Sequence, residues 1–300
     1  MTTKHLLVLG DSRFMPEIKD SSIQLVVTSP PYPMIEMWDT LFKRMDPRIR
    51  AIWTGKTDGG HHLDPHMTLS VYRMMHENLA FVWKECYRVL CYGGLICINI
   101  GDATRSIGGN FRLFSNHSRT IEILEEIGFQ TLPYIVWKKP TNKPNAFLGS
   151  GFLPTNAYVT LDLEHILIFR KGGPRKFAPR DKKRYASMFS KADRDVWFSQ
   201  VWQIRGAPQA SDVIGRRTAS FPEEIPRRLI RMFSVKGDTV LDPFLGTGTT
   251  MKVAAELGRR CIGYEIDERL KPTILKRIGA FDQVHPYSDY RVVERFKAIR

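Results

Sequence analysis

A serine, two prolines and a tyrosine close the second apolar segment of the chain, in the stretch "TSPPY" (Thr28–Tyr32). Proline lacks a backbone N–H and fixes φ, so Pro30 and Pro31 stiffen the chain where a strand ends. The Ser29 hydroxyl can accept hydrogen bonds, and the Tyr32 ring can stack on a planar group. The stretch is therefore a candidate cup for a polar planar ligand, and its alternative is a Pro-Pro turn that ends an edge strand.

A second candidate site lies near the C-terminus, in "DTVLDPFLGTGTT", where an apolar strand leads into Asp242 and a glycine-rich turn before a helix. Such a turn lets the polar end of a ligand approach the backbone beside the helix N-terminus. Glu265 stands 23 residues after Asp242, at the end of the next predicted strand. An acidic side chain in that place can accept hydrogen bonds from both hydroxyls of a ribose. The pattern indicates an adenosine-containing ligand.

The residues around the glycine turn narrow the choice of ligand. No lysine follows Gly248, as a phosphate-binding P-loop requires, and Met251 stands where a dinucleotide motif has its third glycine. Asp242 would repel a phosphate but attract an ammonium group. S-adenosylmethionine has an ammonium and a sulfonium and no phosphate, so the pattern favours it over a tight turn that merely needs small residues.

Taken together, these segments resemble the amino-group DNA methyltransferases. "DPFLGTGTT" (Asp242–Thr250) is similar to their cofactor motif, usually written D-P-F-x-G-[ST]-G-T, and "TSPPY" is similar to their catalytic motif. The catalytic motif comes first here, as in the circularly permuted beta class. "LGDS" (Leu9–Ser12) and "ASFPEEIPRRLI" (Ala219–Ile230) resemble further family segments, whereas Arg217-Thr218 replaces the His-Pro of many relatives.

The resemblance implies S-adenosylmethionine as cofactor and DNA as substrate. The residues that it places at the cofactor are Asp11, Phe221, Pro222, Asp242, Pro243, Phe244, Gly246, Thr247, Gly248, Thr249, Thr250 and Glu265. The residues that it places at the target base are Ser29, Pro30, Pro31 and Tyr32. The base must first be flipped out of the duplex. Its amine is a poor nucleophile because the lone pair is delocalised into the ring, and acceptors aimed at its hydrogens counter this.

The first residue of the catalytic motif bears on the target base. Ser-Pro-Pro-Tyr resembles the cytosine-N4 enzymes, whereas adenine-N6 enzymes usually have Asp or Asn in place of Ser29. The serine is a neutral acceptor that can also donate, for instance to cytosine N3. The carbon-5 route needs a Pro-Cys dipeptide, and no cysteine here follows a proline. We predict site-specific cytosine-N4 methylation of DNA, with adenine-N6 methylation, RNA methylation and a non-catalytic nucleic-acid-binding subunit as alternatives.

Short apolar runs alternate with helical patterns, which predicts an α/β fold with a doubly wound, mostly parallel sheet. The resemblance makes this sheet a circularly permuted, Rossmann-like methyltransferase fold with a small basic insertion. The predicted strands are His5–Gly10, Ile23–Ser29, Gly94–Gly101, Leu132–Lys139, Glu164–Lys171, Asp238–Phe244 and Arg260–Asp267. The predicted helices are Ser70–Val89, Thr120–Ile127, Pro222–Phe233 and Thr249–Leu257.

Four parts are expected along the chain. Residues 1–171 form the catalytic half and include a polar loop at 33–67. Residues 172–217 form a basic target-recognition insertion outside the sheet, with Trp197 and Trp202 in its own core. Residues 218–279 form the cofactor-binding half, and residues 280–300 form a C-terminal helix or tail.

The net charge of +14 favours a polyanionic partner. Between Lys171 and Arg217, 12 Lys/Arg stand against 4 Asp, a net +8. We expect phosphate contacts from Lys182, Lys183 and Arg184. A cognate restriction endonuclease is a possible partner, and the protein is expected to be a monomer or a homodimer.

Other classes of protein receive no support from the sequence. No apolar run is long enough for a signal peptide or a membrane span, so we expect a cytoplasmic, nucleoid-associated protein. The four cysteines include no C-x-x-C pair, which argues against zinc and disulfides. Methyl transfer to nitrogen needs no metal, so we predict none, even at "HHLDPH" (His61–His66).

Overall fold

The computed structural model describes residues 3–53, 55–57, 60–63, 65–140, 148–149, 153–155, 157–207, 220–279 and 288–295. The strands in these ranges are β1 (Thr3–Leu9), β2 (Ile23–Thr28), β3 (Gly55–Thr57), β4 (Gly60–His62), β5 (Leu90–Ile100), β6 (Ala103–Ile107), β7 (Asn110–Phe114), β8 (Gln130–Lys138), β9 (Leu148–Gly149), β10 (Ala157–Tyr158), β11 (Leu163–Arg170), β12 (Val201–Gln203), β13 (Thr239–Asp242), β14 (Arg260–Glu265) and β15 (Ser288–Glu294).

The helices in the same ranges are α1 (Asp39–Met45), α2 (Pro47–Ile52), α3 (Thr68–Val89), α4 (Asn116–Ile127), α5 (Lys182–Tyr185), α6 (Lys191–Trp197), α7 (Glu224–Phe233), α8 (Thr249–Glu256) and α9 (Lys271–Arg277). All seven strands and four helices predicted from the sequence are present, with ends that differ by a few residues. None of the helices in the described ranges is long and apolar enough to cross a membrane.

Nine strands of the described chain form one sheet in the order β12-β8-β11-β5-β2-β13-β14-β1-β15. Among these nine, β11 alone runs antiparallel to its neighbours, β5 and β8. The strands β2, β5, β13 and β14 therefore end at one edge of the sheet, called here the C-terminal edge. Residues of β2 enter two cores: Ile23 and Val26 lie in the first core, on one face, and Leu25 and Val27 lie in the second core, on the other. A register shift between Ile23 and Leu25 interrupts the simple alternation. Helices cover both faces, as a doubly wound sheet requires.

The predicted polar loop at 33–67 is largely folded, so the expectation of a plain loop is wrong for its described part. It contains α1, α2 and the hairpin β3–β4. Asp46 caps α2 by accepting a hydrogen bond from the Arg48 N–H at 2.9 Å. Phe42, Ile49 and Trp53 are fully buried against α3 in the first core. Helices of six or seven residues show too little periodicity to stand out in a sequence.

The basic segment at 172–217 is not separate from the sheet in its described part. Its strand β12 pairs with β8 as an edge strand. Trp197 and Trp202 lie in the second core with Ile135 and Trp137 of β8, rather than in a core of their own. Arg228 of α7 lies over the Trp202 ring, 5.0 Å from its centroid. The last ten residues of the segment, 208–217, lie outside the described residues.

The C-terminal segment also departs from expectation, since the described residues at 288–295 form a strand and not a helix. This strand, β15, runs parallel to β1 and extends the sheet. The run "YRVVE" contains two adjacent β-branched residues, which fit a strand on one side of β1 better than a short isolated helix. Residues 280–287 and 296–300 lie outside the described residues.

The place of Trp202 in the main core leads to a stability prediction. Its side chain is 1% exposed, whereas the neighbouring Val201 is 52% exposed. Trp202→Ala should lower the free energy of unfolding by about 3–5 kcal/mol because it leaves a large cavity. Val201→Ala, the matched control, should change it by less than about 0.5 kcal/mol. Denaturant unfolding followed by circular dichroism measures both, and an unchanged main transition in Trp202→Ala would contradict the shared core.

Candidate active site

The two sequence motifs meet at the C-terminal edge of the sheet. The strands β2 and β13 are parallel neighbours, with Val26 beside Leu241. At their ends the Thr28 hydroxyl donates a hydrogen bond of 2.6 Å to Asp242 Oδ1. Ser29 is the next residue after Thr28, and Pro243 follows Asp242, so the proline cup and the glycine turn begin side by side at this edge.

The glycine turn has the backbone shape that its residues predict. Gly246 and Gly248 have φ values of 56° and 91°, in the left-handed region where a side chain would be strained. Gly248 directly precedes α8. The Gly246 N–H donates to Glu265 Oε2 at 2.8 Å, which joins the turn to the end of β14. The three cofactor-motif residues Asp242, Gly246 and Glu265 are thereby held together.

Two carboxyl groups are buried at this edge, with Asp242 2% exposed and Glu265 8% exposed. Burial raises the pKa of Asp242 to about 6 and that of Glu265 to about 7. Neither forms an ion pair within the described residues, and the donors that reach them there are hydroxyl groups and backbone amides. A ligand that brings an ammonium group and paired hydroxyls would supply the missing partners, and S-adenosylmethionine has both.

The other predicted cofactor residues surround this turn. The Ser220 and Thr247 hydroxyls are hydrogen bonded at 2.9 Å, which places Phe221 and Pro222 against it. Phe244 packs edge-on against Trp83, with ring centroids 5.7 Å apart. The predicted residues that are buried here are Phe221, Pro243, Thr247, Thr249 and Thr250.

Asp11 follows β1 at the same edge, because the neighbouring Gly10 N–H donates to the Glu265 carbonyl at 2.8 Å. Its carboxylate accepts hydrogen bonds from Arg13, through the backbone N–H at 2.9 Å and the guanidinium at 2.8 and 2.6 Å. The position suits the predicted contact with the cofactor, but Arg13 shares the acceptor oxygens.

Burial and hydrogen bonds fix the cup that follows β2. Pro30 and Pro31 are buried, while Ser29 and Tyr32 are half-buried. Asn116 of α4 donates hydrogen bonds of 3.0 Å to the carbonyls of Pro33 and Gly101. These bonds tie the end of the cup to the end of β5.

Three polar residues that the sequence reasoning missed complete the cup. Tyr32 Oη donates to Glu164 Oε2 at 2.9 Å and lies 3.1 Å from Ser29 Oγ. Asn99 Nδ2 donates to Tyr32 Oη at 2.8 Å and to Glu164 Oε2 at 2.6 Å, and Lys139 forms an ion pair with Glu164. Burial and the Glu164 charge raise the pKa of Tyr32 well above its usual value, so the phenol stays protonated. The sequence signal that could have identified Asn99, Lys139 and Glu164 is that each is a polar residue at or near an end of a predicted strand.

One group in the described residues has the chemistry of metal ligands, namely Asp102, His117 and His165, which lie beside the cup. His117 Nδ1 is 2.8 Å from Asp102 Oδ2, and the two imidazole rings are stacked with centroids 4.0 Å apart. Lone pairs of stacked rings lie in nearly parallel planes and do not converge on one point, so the arrangement suits packing better than chelation. In "HHLDPH", Asp64 and the side chains of His61 and His62 lie outside the described residues.

The basic residues Lys182, Lys183 and Arg184 lie away from the cup. The adjacent Ser187 Oγ accepts from the Lys236 N–H at 2.8 Å, close to where β13 begins. The cup stands where the parallel strand β2 ends, at the opposite edge of the sheet. All three side chains are exposed, and their contact with phosphate stays a prediction.

Comparisons with known sequences find DNA methyltransferases. The sequence model of a family described as DNA methylase, of the N6 and N4 type, matches residues 23–276. The chain is 63% identical over 280 residues to the Type II methyltransferase M.MjaI of Methanocaldococcus jannaschii, a match that covers 93% of this chain and 92% of the relative. It is 48% identical over 284 residues to the Type II methyltransferase M.MthZI of Methanothermobacter thermautotrophicus, covering 93% and 78%.

Solved structures show the same architecture. A putative DNA modification methylase from Thermus thermophilus, complexed with S-adenosyl-L-methionine, superposes with a TM-score of 0.71 at 31% identity, covering 96% of this chain and 99% of the other. The PvuII DNA methyltransferase, described as cytosine-N4-specific, superposes with a TM-score of 0.57 at 20% identity, covering 96% and 95%. At that identity the second match supports the fold alone.

Burial of Asp242 predicts how the stability of the ligand-free protein depends on pH. The folded protein holds the Asp242 proton up to about pH 6, whereas the unfolded chain releases it near the usual value of 3.8. Raising the pH between these values therefore favours the unfolded chain, by at most about 3 kcal/mol. Asp242→Asn keeps the Oδ1 acceptor and should remove this loss.

Urea unfolding at a series of pH values from roughly 4 to 8 tests this expectation, because this range covers both the usual and the raised pKa of Asp242. The wild type should lose more stability with rising pH than Asp242→Asn, and the variant should be the more stable of the two at the alkaline end. Parallel pH profiles for the two proteins would show that Asp242 ionises normally.

Proposed function

Because this chain belongs to the DNA methylase family of N6 and N4 amino-methyltransferases, we propose that its target is the N4 amine of a cytosine flipped out of DNA. Members of this family methylate DNA with S-adenosylmethionine. The proposal adds the identity of the target base. The observation that carries the proposal is Ser29 at the head of the proline cup, one residue from the hydrogen bond between Thr28 and Asp242.

The cytosine assignment is supported by the neutrality of that position. Ser29 offers a hydroxyl where the adenine-type motif has the amide or carboxylate of Asn or Asp. The cup is completed by Pro30 and by the Tyr32 ring, which suits stacking on a pyrimidine. The described structure of the cup contains no feature that requires a purine. Adenine-N6 remains the alternative, because a hydroxyl acceptor can also receive an amine hydrogen of adenine.

The chain's own groups act by positioning. The Ser29 hydroxyl and the Pro30 carbonyl accept the two amine hydrogens, which draws the nitrogen lone pair out of conjugation with the ring. S-adenosylmethionine, when bound, would supply an electrophilic methyl group: a C–N bond would form as the C–S bond breaks, S-adenosylhomocysteine would leave, and the surplus amine proton would pass to water. The buried prolines hold the acceptors still and exclude water from one side.

The cofactor half is assigned in the same proposal. Asp242 would bind the ammonium group, Glu265 the ribose hydroxyls, and Phe221 and Phe244 the apolar parts. Asp11 would contact adenine beside Arg13. The remaining predicted residues, Pro222, Pro243, Gly246, Thr247, Gly248, Thr249 and Thr250, would shape the turn and its cover.

Several partner predictions belong to the proposal as well. Both sequence relatives described above are named Type II methyltransferases, which supports a cognate restriction endonuclease for this chain. A location at the nucleoid would follow from DNA as substrate. Phosphate contacts by Lys182, Lys183 and Arg184 would require DNA to reach the edge opposite the cup, whereas Lys139 is a basic residue at the cup itself.

The target base can be identified directly. The protein is incubated with labelled S-adenosylmethionine and unmethylated plasmid DNA of mixed sequence, and in parallel with RNA. The nucleic acid is then hydrolysed to nucleosides for mass spectrometry. We expect label in N4-methyldeoxycytidine. Label in N6-methyldeoxyadenosine would transfer the assignment to adenine, and label in RNA alone, or nowhere, would overturn the proposal.

The role of Ser29 leads to a second prediction. Ser29→Ala should lower kcat by roughly 100-fold or more, because an acceptor for the reacting amine is lost. The affinity for S-adenosylmethionine, measured by calorimetry, should stay within about twofold, since Asp242 and Glu265 are untouched. Ser22→Ala is the matched control, because Ser22 immediately precedes the opposite end of β2 and its hydroxyl bonds only the Lys19 carbonyl within the described residues. A parallel loss of turnover and cofactor affinity in Ser29→Ala would point to a structural role.

A further inference from the structure

Three polar groups surround the Tyr32 hydroxyl, and their chemistry decides where its hydrogen points. Glu164 Oε2 lies at 2.9 Å, Asn99 Nδ2 at 2.8 Å and Ser29 Oγ at 3.1 Å. An ionised carboxylate only accepts hydrogen bonds, and an amide nitrogen only donates them. A phenol has one hydrogen and two lone pairs. The single hydrogen therefore goes to Glu164, and the lone pairs accept from Asn99 and Ser29.

The orientation of the Asn99 amide is fixed by the same carboxylate. Asn99 is buried, and its nitrogen lies within 2.6 Å of Glu164 Oε2, where an amide oxygen would be repelled. Both amide hydrogens are thus used, one on Glu164 and one on Tyr32. Lys139 forms an ion pair with the other oxygen of Glu164, Oε1, which compensates its charge at the half-buried site. The donors and acceptors around Tyr32 leave Ser29 no role there except donor.

A glycine leaves room for this arrangement. A Cβ on Gly101, at the end of β5, would lie 3.0 Å from Tyr32 Cε2 and 3.2 Å from Glu164 Cγ. The Tyr32 ring and the aliphatic part of the Glu164 side chain both pack against the backbone of Gly101, which has no side chain. The contact brings Glu164, on the antiparallel strand β11, next to a cup that follows the parallel strand β2.

We infer that Glu164 is a positioning residue that, through Tyr32, directs the Ser29 hydroxyl hydrogen away from the target base. Both lone pairs of Ser29 Oγ are then free to accept from the amine. The inference rests on the proposed role of Ser29 as acceptor, but it holds for a cytosine or an adenine target. It also replaces the expectation that Ser29 donates to cytosine N3, because its only hydrogen is bonded to Tyr32.

A double-mutant cycle tests the relay from Glu164 through Tyr32. Tyr32→Phe keeps the stacking ring and removes the hydroxyl, and Glu164→Gln removes the charge that orders the chain of donors. The wild type, both single variants and the double variant are assayed with labelled S-adenosylmethionine on the same mixed-sequence plasmid DNA. Each single variant should lose roughly tenfold or more in kcat, with KM for DNA and cofactor affinity within about threefold. Because the two residues act through one path, the double variant should be no slower than the slower single variant.

Each possible outcome bears on the inference. Losses that multiply in the double variant would show that Glu164 and Tyr32 act separately, and a loss confined to KM or to cofactor affinity would assign Glu164 a binding role. If Glu164→Gln fails to fold by circular dichroism, Glu164→Asp takes its place in the cycle; it keeps the charge but withdraws the carboxylate from Tyr32 by one methylene, so the hydrogen bond between them is lost and the same fall in kcat is expected. An inactive wild type would instead overturn the proposed function, so the two failures are distinguishable.

Discussion

The site depends on one buried hydrogen bond between neighbouring parallel strands, from the Thr28 hydroxyl to the Asp242 carboxyl group. It joins two segments that are 214 residues apart in the chain, and both groups are buried. Because the bond lies at the ends of β2 and β13, it sets the height of the proline cup relative to the glycine turn. A one-residue slip of either strand would turn its side chains to the other face and separate the target amine from the methyl donor.

The parallel sheet and the two motifs could be predicted from the sequence because both depend on local residues. An apolar run that is buried on both faces reads as a strand by itself, and the prolines and glycines mark where such strands end. The confirmed strands β2, β5 and β13 are of this kind. The meeting of cup and turn follows from parallel topology alone, since parallel strands that carry motifs after them end at a common edge.

The contacts of Glu164, the edge strands and the core of the basic segment depend on residues that are distant in the sequence, and no local pattern encodes such contacts. Glu164 begins an ordinary strand, and its role is visible only once the antiparallel β11 places it over Gly101 and beside Tyr32. The strand β12 has three residues, too few to show a periodicity, and β15 joins the sheet at its far edge, beside β1, where only the tertiary structure shows that a strand is paired. The aromatic residues of the basic segment read as a separate core because the sequence does not show that Ile135 and Trp137 face them.

Under the proposed function, the cofactor half of the site (Asp242 and Glu265) and the base half (the cup and Glu164) use opposite electrostatic arrangements. In the cofactor half, Asp242 and Glu265 are buried without cations from the described chain, so burial raises their pKa values and a cationic ligand gains by pairing with them. In the base half, Glu164 already has Lys139, Asn99 and Tyr32 as partners, and its charge acts only through the hydrogens that it orients. A neutral hydroxyl at Ser29, oriented through Tyr32, thus presents acceptors to the amine, while the charge of Glu164 stays paired with Lys139.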